Sequence, residues 1–192
     1  ITSGRYDPHK VALILFQTGG GCRASNYISL LRKALARAGY DYVPVISFSL
    51  AGLEHHPGFT LGVSEYHGMA YAVLYGDLLL TLVNQTMPYE VRKVEPETLA
   101  ERWTARLGKE LGAGRHIRYS EVQKTYSRIV ADFAAIPKRE KETVKVGIVG
   151  EIFVKYSPLG NNNLEQFLVD EGAEVVTPGL LDFCLYCVYN QI

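Results

Sequence analysis

The stretch that decides the fold runs Val11-Ala-Leu-Ile-Leu-Phe16, then Gln17-Thr-Gly-Gly-Gly-Cys-Arg-Ala-Ser25, then Asn26 onward. The apolar run at residues 11–16 predicts a buried β-strand. In residues 26–38 the apolar positions recur at helical spacing, which predicts an amphipathic helix. A second apolar run at residues 42–48 follows. Strand, glycine-rich turn, helix and strand in this order predict a parallel βαβ unit.

A second segment near the end of the chain repeats this layout. An apolar strand at residues 144–149 leads into a loop at 150–162, a helix at 163–171 and a strand at 173–176. Crossovers between parallel strands are nearly always right-handed. The sequence therefore predicts an α/β fold with two Rossmann-like parallel βαβ units.

The stretch between the two units is expected to be helical. Apolar spacing predicts helices at residues 61–83 and 97–111, and a third helix capped by Ser120. Pro137 is followed by Lys-Arg-Glu-Lys-Glu at 138–142, a charge run typical of a solvated link. We therefore place the domain boundary there, with a first domain at residues 1–137 and a second at 138–192.

Composition excludes several function classes. In 192 residues, 20 basic side chains balance 20 acidic ones, which argues against nucleic acid or a membrane surface as the partner. Three cysteines are too few for a disulfide framework and favour a reducing, cytoplasmic setting. The most apolar stretch, residues 69–83, contains Asp77 and is shorter than the roughly 20 residues of a membrane span. Because the chain starts at Ile1 without Met, we expect a piece of a longer protein.

The glycine-rich turn is the strongest candidate site. In an open α/β sheet, the loop after a strand's carboxyl end is where ligands bind. Consecutive glycines at 19, 20 and 21 let a ligand approach the backbone of Thr18 to Gly21, but they form neither G-x-G-x-x-G nor a P-loop. Cys22 and Arg23 follow, and a thiolate beside a guanidinium and backbone amides suits a metal ligand or a nucleophile. The alternative is a small apolar cysteine packed beneath the loop.

Residues 17–27, Gln-Thr-Gly-Gly-Gly-Cys-Arg-Ala-Ser-Asn-Tyr, resemble the cysteine motif of the large proteins related to 2-hydroxyacyl-CoA dehydratases, often labelled CoA-substrate-specific enzyme activases. Residues 150–164, Gly-Glu-Ile-Phe-Val-Lys-Tyr-Ser-Pro-Leu-Gly-Asn-Asn-Asn-Leu, are similar to a second stretch of the same proteins. The resemblance covers about residues 10–189. It implies a segment of an anaerobic electron-transfer protein whose ATPase domain lies elsewhere in the same or a companion protein.

The resemblance also implies a cofactor and a site. The dehydratases bind a 4Fe-4S cluster through cysteines from different domains and use ATP-driven electron transfer to remove water from a 2-hydroxyacyl-CoA. Cys22 is the position that would carry a cluster ligand. Thr18, Gly19, Gly20, Gly21 and Arg23 would form the cofactor-binding loop. Arg23 could bind a phosphate of CoA or simply balance a carboxylate. No ATPase motif lies in this chain, so the ATP-using part would be outside it.

Other polar residues give weaker signals. Glu151, the proposed catalytic residue, follows a strand end and could hold a substrate hydroxyl or amide, or accept hydrogen bonds from helix amides. Asn161, Asn162 and Asn163 most simply supply a turn and a helix cap. His55 and His56 are expected to be loop histidines. Cys184 and Cys187 form C-x-x-C, which could bind a cluster, but their apolar neighbours favour buried cysteines.

Two function classes therefore stay open. The first is a cytoplasmic iron–sulfur redox segment, with an acyl-CoA as the expected substrate. The second is a non-catalytic α/β interdomain or docking module in which Cys22 is structural. A third hypothesis is that Cys22 is a nucleophile, but no histidine is placed by sequence to activate it.

Overall fold

A computed structural model describes residues 3–18, 22–49, 54–56, 58, 60–114 and 117–189, with only the backbone of Cys187 and Val188. The protein is mixed α/β, and its described residues form two small parallel sheets of two strands each. It divides into two units, Ile1–Thr60 and Leu61–Ile192. Each sheet belongs to one unit.

The first unit is a strand, a helix and a strand. β1 (Leu13–Phe16) is followed by a 3₁₀ turn at Arg23–Ser25, then α1 (Tyr27–Arg37) and β2 (Val45–Phe48). The two strands pair in parallel, with register running from Leu13 opposite Val45 to Phe16 opposite Phe48. The predicted helix is confirmed almost to the residue, whereas both strands are shorter than their apolar runs.

One face of this sheet packs against α1. Ile28, Leu35, Val43 and Val45 are buried together, and Ile28 has no exposed surface. Complete burial of such a side chain contributes about 1.5–3 kcal/mol. Because side chains alternate across a strand, Ile14 points to the opposite face and is 55% exposed.

The second unit contains seven helices and two strands among its described residues. Their bounds are α2 (Val63–Thr86), α3 (Glu95–Gly112), α4 (Tyr119–Ala134), β3 (Lys145–Gly147), α5 (Ile152–Tyr156), α6 (Pro158–Asn161), α7 (Leu164–Asp170), β4 (Glu174–Val176) and α8 (Leu180–Tyr189). β3 and β4 pair in parallel, with Lys145 opposite Glu174. No described helix is both long enough and apolar enough to cross a membrane.

The core of the second unit lies between α2, α3 and α4. The helix predicted at residues 97–111 is found as α3, and its side chains Leu99, Trp103 and Leu107, each four residues from the next, are all buried. Trp103 Nε1 donates to Asp132 Oδ2 over 3.0 Å, which joins α3 to α4. The expected cap at Ser120 is wrong. α4 already begins at Tyr119, and Arg118 is the capping position, its backbone N–H donating to the Glu121 carboxylate.

The two units divide between Thr60 and Leu61, whereas the charge run at 138–142 suggested a boundary after Pro137. The reason is the packing of the long helix α2. α2 packs not only on α3 and α4 but also on β4 and α8. Apolar helix surface that covers a sheet cannot be separated from it without exposing both, so the helical stretch belongs with the second sheet.

A buried carboxylate fastens the amino-terminal edge of that sheet. Glu174 is 4% exposed; the Tyr89 hydroxyl donates to its Oε2 over 2.6 Å, and Lys145 Nζ lies 3.1 Å from its Oε1. Burial alone would raise the pKa of Glu174, but the hydrogen bonds from Tyr89 and Lys145 outweigh it, so this pKa lies below its usual value.

Candidate functional site

The candidate site lies at the carboxyl edge of the first unit's sheet. The backbone N–H of Gln17 donates to the carbonyl of Phe48 over 2.7 Å, so the parallel pairing continues one residue beyond β1. After the glycine-rich segment of the sequence, the described chain resumes at Cys22, and α1 begins at Tyr27. This is the edge at which open α/β sheets bind their ligands.

Cys22 is exposed and lies directly before the 3₁₀ turn at Arg23–Ser25. Arg23 is also exposed. Gly19, Gly20 and Gly21, predicted to shape the pocket, lie outside the described residues. Thr18 has a hydroxyl oxygen that is buried and makes no hydrogen bond to any described residue. The exposure of Cys22 does not agree with the alternative of a cysteine packed beneath the loop.

A chain of hydrogen bonds links Cys22 to both strands. Ser47 Oγ donates to Gln17 Oε1 over 2.5 Å, and Gln17 Nε2 donates to the carbonyl of Ser25 over 3.0 Å. Ser25 in turn donates to the carbonyl of Cys22 twice, from its backbone N–H over 3.1 Å and from its hydroxyl over 2.6 Å. Because Ser47 is 6% exposed, this chain starts inside the core and ends at the exposed cysteine.

The open edge of β2 is covered by side chains. The backbone N–H of Ser47 donates to His56 Nε2 over 2.8 Å, and Arg32 donates to the carbonyl of Val45 over 3.2 Å. Glu54 holds Arg32 at this edge, since its Oε2 lies 2.6 Å from the Arg32 guanidinium. The hydrogen bond from Arg32 lowers the pKa of Glu54 below its usual value.

His56 is thus a hydrogen-bond acceptor at the edge of β2. Its neighbour His55 is exposed. Throughout the ranges that the structure describes, no three His, Cys, Asp or Glu side chains come together as a metal-binding group. A metal or cluster at Cys22 would therefore need ligands from outside these described residues.

Glu151 belongs to the second unit and caps a helix there. It is the N-cap residue of α5, and its Oε2 accepts from the backbone N–H of Val154 over 3.1 Å. This is the amide-acceptor arrangement expected as the alternative to a substrate contact. The carboxylate follows the loop after β3, so its position at a strand's carboxyl edge matches the sequence analysis.

The asparagine run shapes a turn and supplies a helix cap, as predicted. Asn162 and Asn163 both adopt the left-handed conformation, with φ of 57°. Asn163 is the N-cap residue of α7 but makes no side-chain cap hydrogen bond. Instead Asn161 Oδ1 accepts from the backbone N–H of Leu164 over 3.2 Å, while its Nδ2 donates to the carbonyl of Val154.

The C-x-x-C pair lies on α8, as helical spacing allows. The expectation of buried cysteines is wrong for Cys184, which is exposed. Its apolar neighbours misled the prediction because α8 itself leaves Leu185 59% and Tyr186 64% exposed. The side chain of Cys187 lies outside the described residues.

Sequence reasoning missed Gln17 and Ser47 as parts of the site. Both residues have a feature in the sequence that could have identified them. Ser47 is the polar member of the otherwise apolar strand Val-Ile-Ser-Phe, and Gln17 is the first polar residue after β1. A buried serine in a strand needs a hydrogen-bond partner, and here the partner is the glutamine at the neighbouring strand's end.

No family model, curated protein or solved structure matches this chain. The functional conclusion therefore rests on the residues themselves and on the geometry of the two units.

Proposed function

We propose that this chain is a cytoplasmic segment of an iron–sulfur redox protein related to 2-hydroxyacyl-CoA dehydratase and its ATP-dependent activase. In this proposal the two strand–helix–strand segments are Rossmann-like βαβ units. Cys22 contributes one thiolate ligand to a 4Fe-4S cluster. The single observation that carries the proposal is the exposed Cys22 at the carboxyl edge of a parallel sheet.

The exposure of Cys22 distinguishes a cysteine that can bind a metal from one that only fills the core. Cysteines that serve only to fill a core are usually buried and inert. Cys22 is exposed, and its carbonyl accepts both hydrogen bonds from Ser25. The backbone is thus held in place while the sulfur faces outward. That arrangement supports a thiolate offered to a group whose remaining ligands come from elsewhere.

A bound cluster supplies one-electron transfer. The residues of this chain would contribute binding and charge. Cys22 Sγ would bind as the thiolate, and the exposed Arg23 places a positive charge next to it in sequence, which offsets the negative charge of thiolate ligands. The backbone of Thr18 to Gly21 would shape the pocket wall. A contact between Glu151 and an acyl-CoA substrate stays a prediction. In the structure the Glu151 carboxylate caps α5.

One observation favours the alternative, a non-catalytic interdomain or docking module. Ile14 and Phe16 lie on the sheet face that α1 does not cover, and they are 55% and 45% exposed. Exposed apolar side chains of this kind are common at interaction surfaces. The expected partner is the ATPase domain of the same or a companion protein. If the chain is such a docking module, cluster binding would not require Cys22.

Anaerobic reconstitution tests the proposal. The intact protein that carries this chain would be loaded with iron and sulfide, and its visible thiolate-to-iron absorption and bound iron would be measured. We expect Cys22→Ala to lose most of the bound iron. Cys184→Ala is the matched control, because that cysteine is also exposed. Equal iron in wild-type protein and Cys22→Ala would refute cluster ligation and leave the docking module.

A further inference from the structure

Gln17 occupies a position where one side chain must both accept and donate. Its Oε1 accepts from Ser47 Oγ over 2.5 Å, and its Nε2 donates to the carbonyl of Ser25 over 3.0 Å. Both partners constrain it: a carbonyl oxygen can only accept, and the serine hydroxyl supplies its proton to the amide oxygen. The orientation of the amide group is therefore fixed at both ends.

The backbone of Gln17 is fixed as well. Its N–H donates to the carbonyl of Phe48 over 2.7 Å, which holds it in the sheet. Ser47 lies in β2 opposite Leu15 and is 6% exposed. The glutamine side chain therefore extends from a backbone held in the sheet to the carbonyl of Ser25. A rigid base is what a positioning group needs in order to hold a reactive residue in place.

Ser25 connects Gln17 to Cys22 through hydrogen bonds. Both its backbone N–H and its hydroxyl donate to the carbonyl of Cys22. When the Ser25 carbonyl is held by Gln17, the 3₁₀ turn that begins after Cys22 is held at its far end. The exposed thiol is thus supported through three residues from the sheet.

We propose that Gln17 is the positioning residue of the Cys22 thiol, and that it fixes the direction from which the thiolate meets its cluster. This inference rests on the proposed function for its cluster, but the hydrogen-bond chain can be tested without one. Glutamine is required because an ionised glutamate has no proton to donate to the Ser25 carbonyl. A protonated glutamic acid could again accept from Ser47 and donate to Ser25.

The first experiment uses a nitroxide label on Cys22, in a chain with Cys184→Ser and Cys187→Ser so that only one thiol reacts. Electron paramagnetic resonance line shapes report the mobility of the label. We expect a restricted line shape with Gln17 and a mobile one with Gln17→Met at every pH. Gln17→Glu should be mobile at neutral pH and should regain the restricted line shape below the usual glutamate pKa of about 4.3. Ser47→Ala should be intermediate.

Circular dichroism of each variant checks that the fold is kept, and Gln17→Glu is its own control across pH. Identical line shapes for Gln17, Gln17→Met and Gln17→Glu at neutral pH would overturn the proposal. A Gln17→Glu label that stays mobile in acid, while the unsubstituted protein stays restricted, would overturn it as well. Recovery in acid is the outcome that a purely space-filling role for Gln17 would not produce.

The second experiment separates this proposal from the proposed function. In the reconstituted intact protein, Gln17→Glu should shift the midpoint potential of the cluster, while Cys22→Ala loses it. If Cys22→Ala loses the cluster but Gln17→Glu leaves the potential and the spectrum unchanged, the positioning role is wrong and the ligand role stands. If Cys22→Ala keeps its cluster, the ligand role fails, and the label line shapes alone decide whether Gln17 positions the loop.

Discussion

Asp77 on α2 and Leu181 on α8 are joined by a hydrogen bond of 2.7 Å from the backbone N–H of Leu181 to Asp77 Oδ2. The other carboxylate oxygen accepts from the N–H of Leu180 over 2.9 Å. These amides belong to the first turn of α8, where backbone donors have no partner within the helix and negative charge is favoured. A charge inside the most apolar stretch of the chain is thereby explained, since Asp77 caps a helix that lies about 100 residues further along.

The close approach of Asp77 to Gly179 gives the first prediction. A Cβ atom on Gly179 would lie 2.6 Å from Asp77 Oδ2, so Gly179→Ala should lower the free energy of unfolding by about 1–3 kcal/mol. In an Asp77→Ala background the same substitution should cost clearly less, because the carboxylate is gone. Chemical denaturation of the four proteins measures this coupling.

Gly108→Ala is the control for that cycle. Beyond the backbone of α3 itself, no described residue has an atom within 4 Å of the position that its Cβ would take, and Gly108 is inside α3, so alanine there should stabilise by up to about 1 kcal/mol. Additive costs for Gly179→Ala and Asp77→Ala would show that the two residues do not interact.

The second prediction concerns Tyr156. Burial, with the nearby charges of Asp77, Asp182 and Cys184, raises the pKa of Tyr156 to about 12. A group whose pKa is raised by folding stabilises the protein below its usual value near 10, and this stability is lost as the pH rises through about 12. Tyr156→Phe should therefore show a smaller loss of stability between about pH 10 and about pH 12 than the wild type.

At neutral pH the same variant should be less stable by about 0.5–1.5 kcal/mol, because the Tyr156 hydroxyl donates to the carbonyl of Pro178. Tyr119→Phe is the comparison, since Tyr119 is 66% exposed. Thermal or chemical unfolding as a function of pH gives both quantities. Wild-type and Tyr156→Phe curves that run parallel into the alkaline range would contradict the raised pKa.

The helices were predictable because their signal is local. α1 was found within one residue at each end, since its apolar spacing defines it without reference to the rest of the chain. The helices α5 and α6 were not found, because each is too short to show a period. They depend instead on Glu151, which caps α5, and on Asn161, whose side chain bonds across the turn. Such short helices are specified by individual side-chain hydrogen bonds.

The candidate site was predictable only in part. The turn and Cys22 could be identified because consecutive glycines after an apolar strand are rare and have a physical meaning. The contact between Gln17 and Ser47 joins residues 30 positions apart, and it exists because of the register of β1 with β2. A shift of one residue would turn Ser47 to the other face. Register is a property of the folded sheet, which is why sequence reasoning missed this pair.

The third prediction concerns Glu90, which precedes α3. Burial, followed by the negative charge of Glu97, raises the pKa of Glu90 above its usual value. Its Oε2 is buried without a hydrogen bond among the described residues. A carboxyl with a raised pKa stabilises the fold below its unfolded pKa, and that stability is lost as the pH rises through the folded pKa.

Glu90→Gln should therefore stabilise the protein at neutral pH, by less than about 1 kcal/mol because the charge is partly solvated. The gain should disappear in acid, where Glu90 is protonated and also uncharged. Melting temperatures of both proteins at acidic and neutral pH measure this. Glu101→Gln, on the exposed face of α3, is the control for a change in net charge alone. A gain that is equal at both pH values would refute the assignment.

The last prediction tests the covered edge of β2. His56 Nε2 accepts from the backbone N–H of Ser47, a donor on the edge of β2 that no described strand pairs with. His56→Ala removes the acceptor, and a partly buried donor left without one costs about 1–3 kcal/mol. We expect faster hydrogen exchange at the Ser47 amide, measured by nuclear magnetic resonance, and a lower stability of the first unit.

His56→Gln supplies an amide oxygen and should recover part of the protection. His55→Ala, beside it but exposed, should leave the Ser47 amide unchanged. Equal exchange in His56→Ala and His55→Ala would mean that the histidine does not protect this edge.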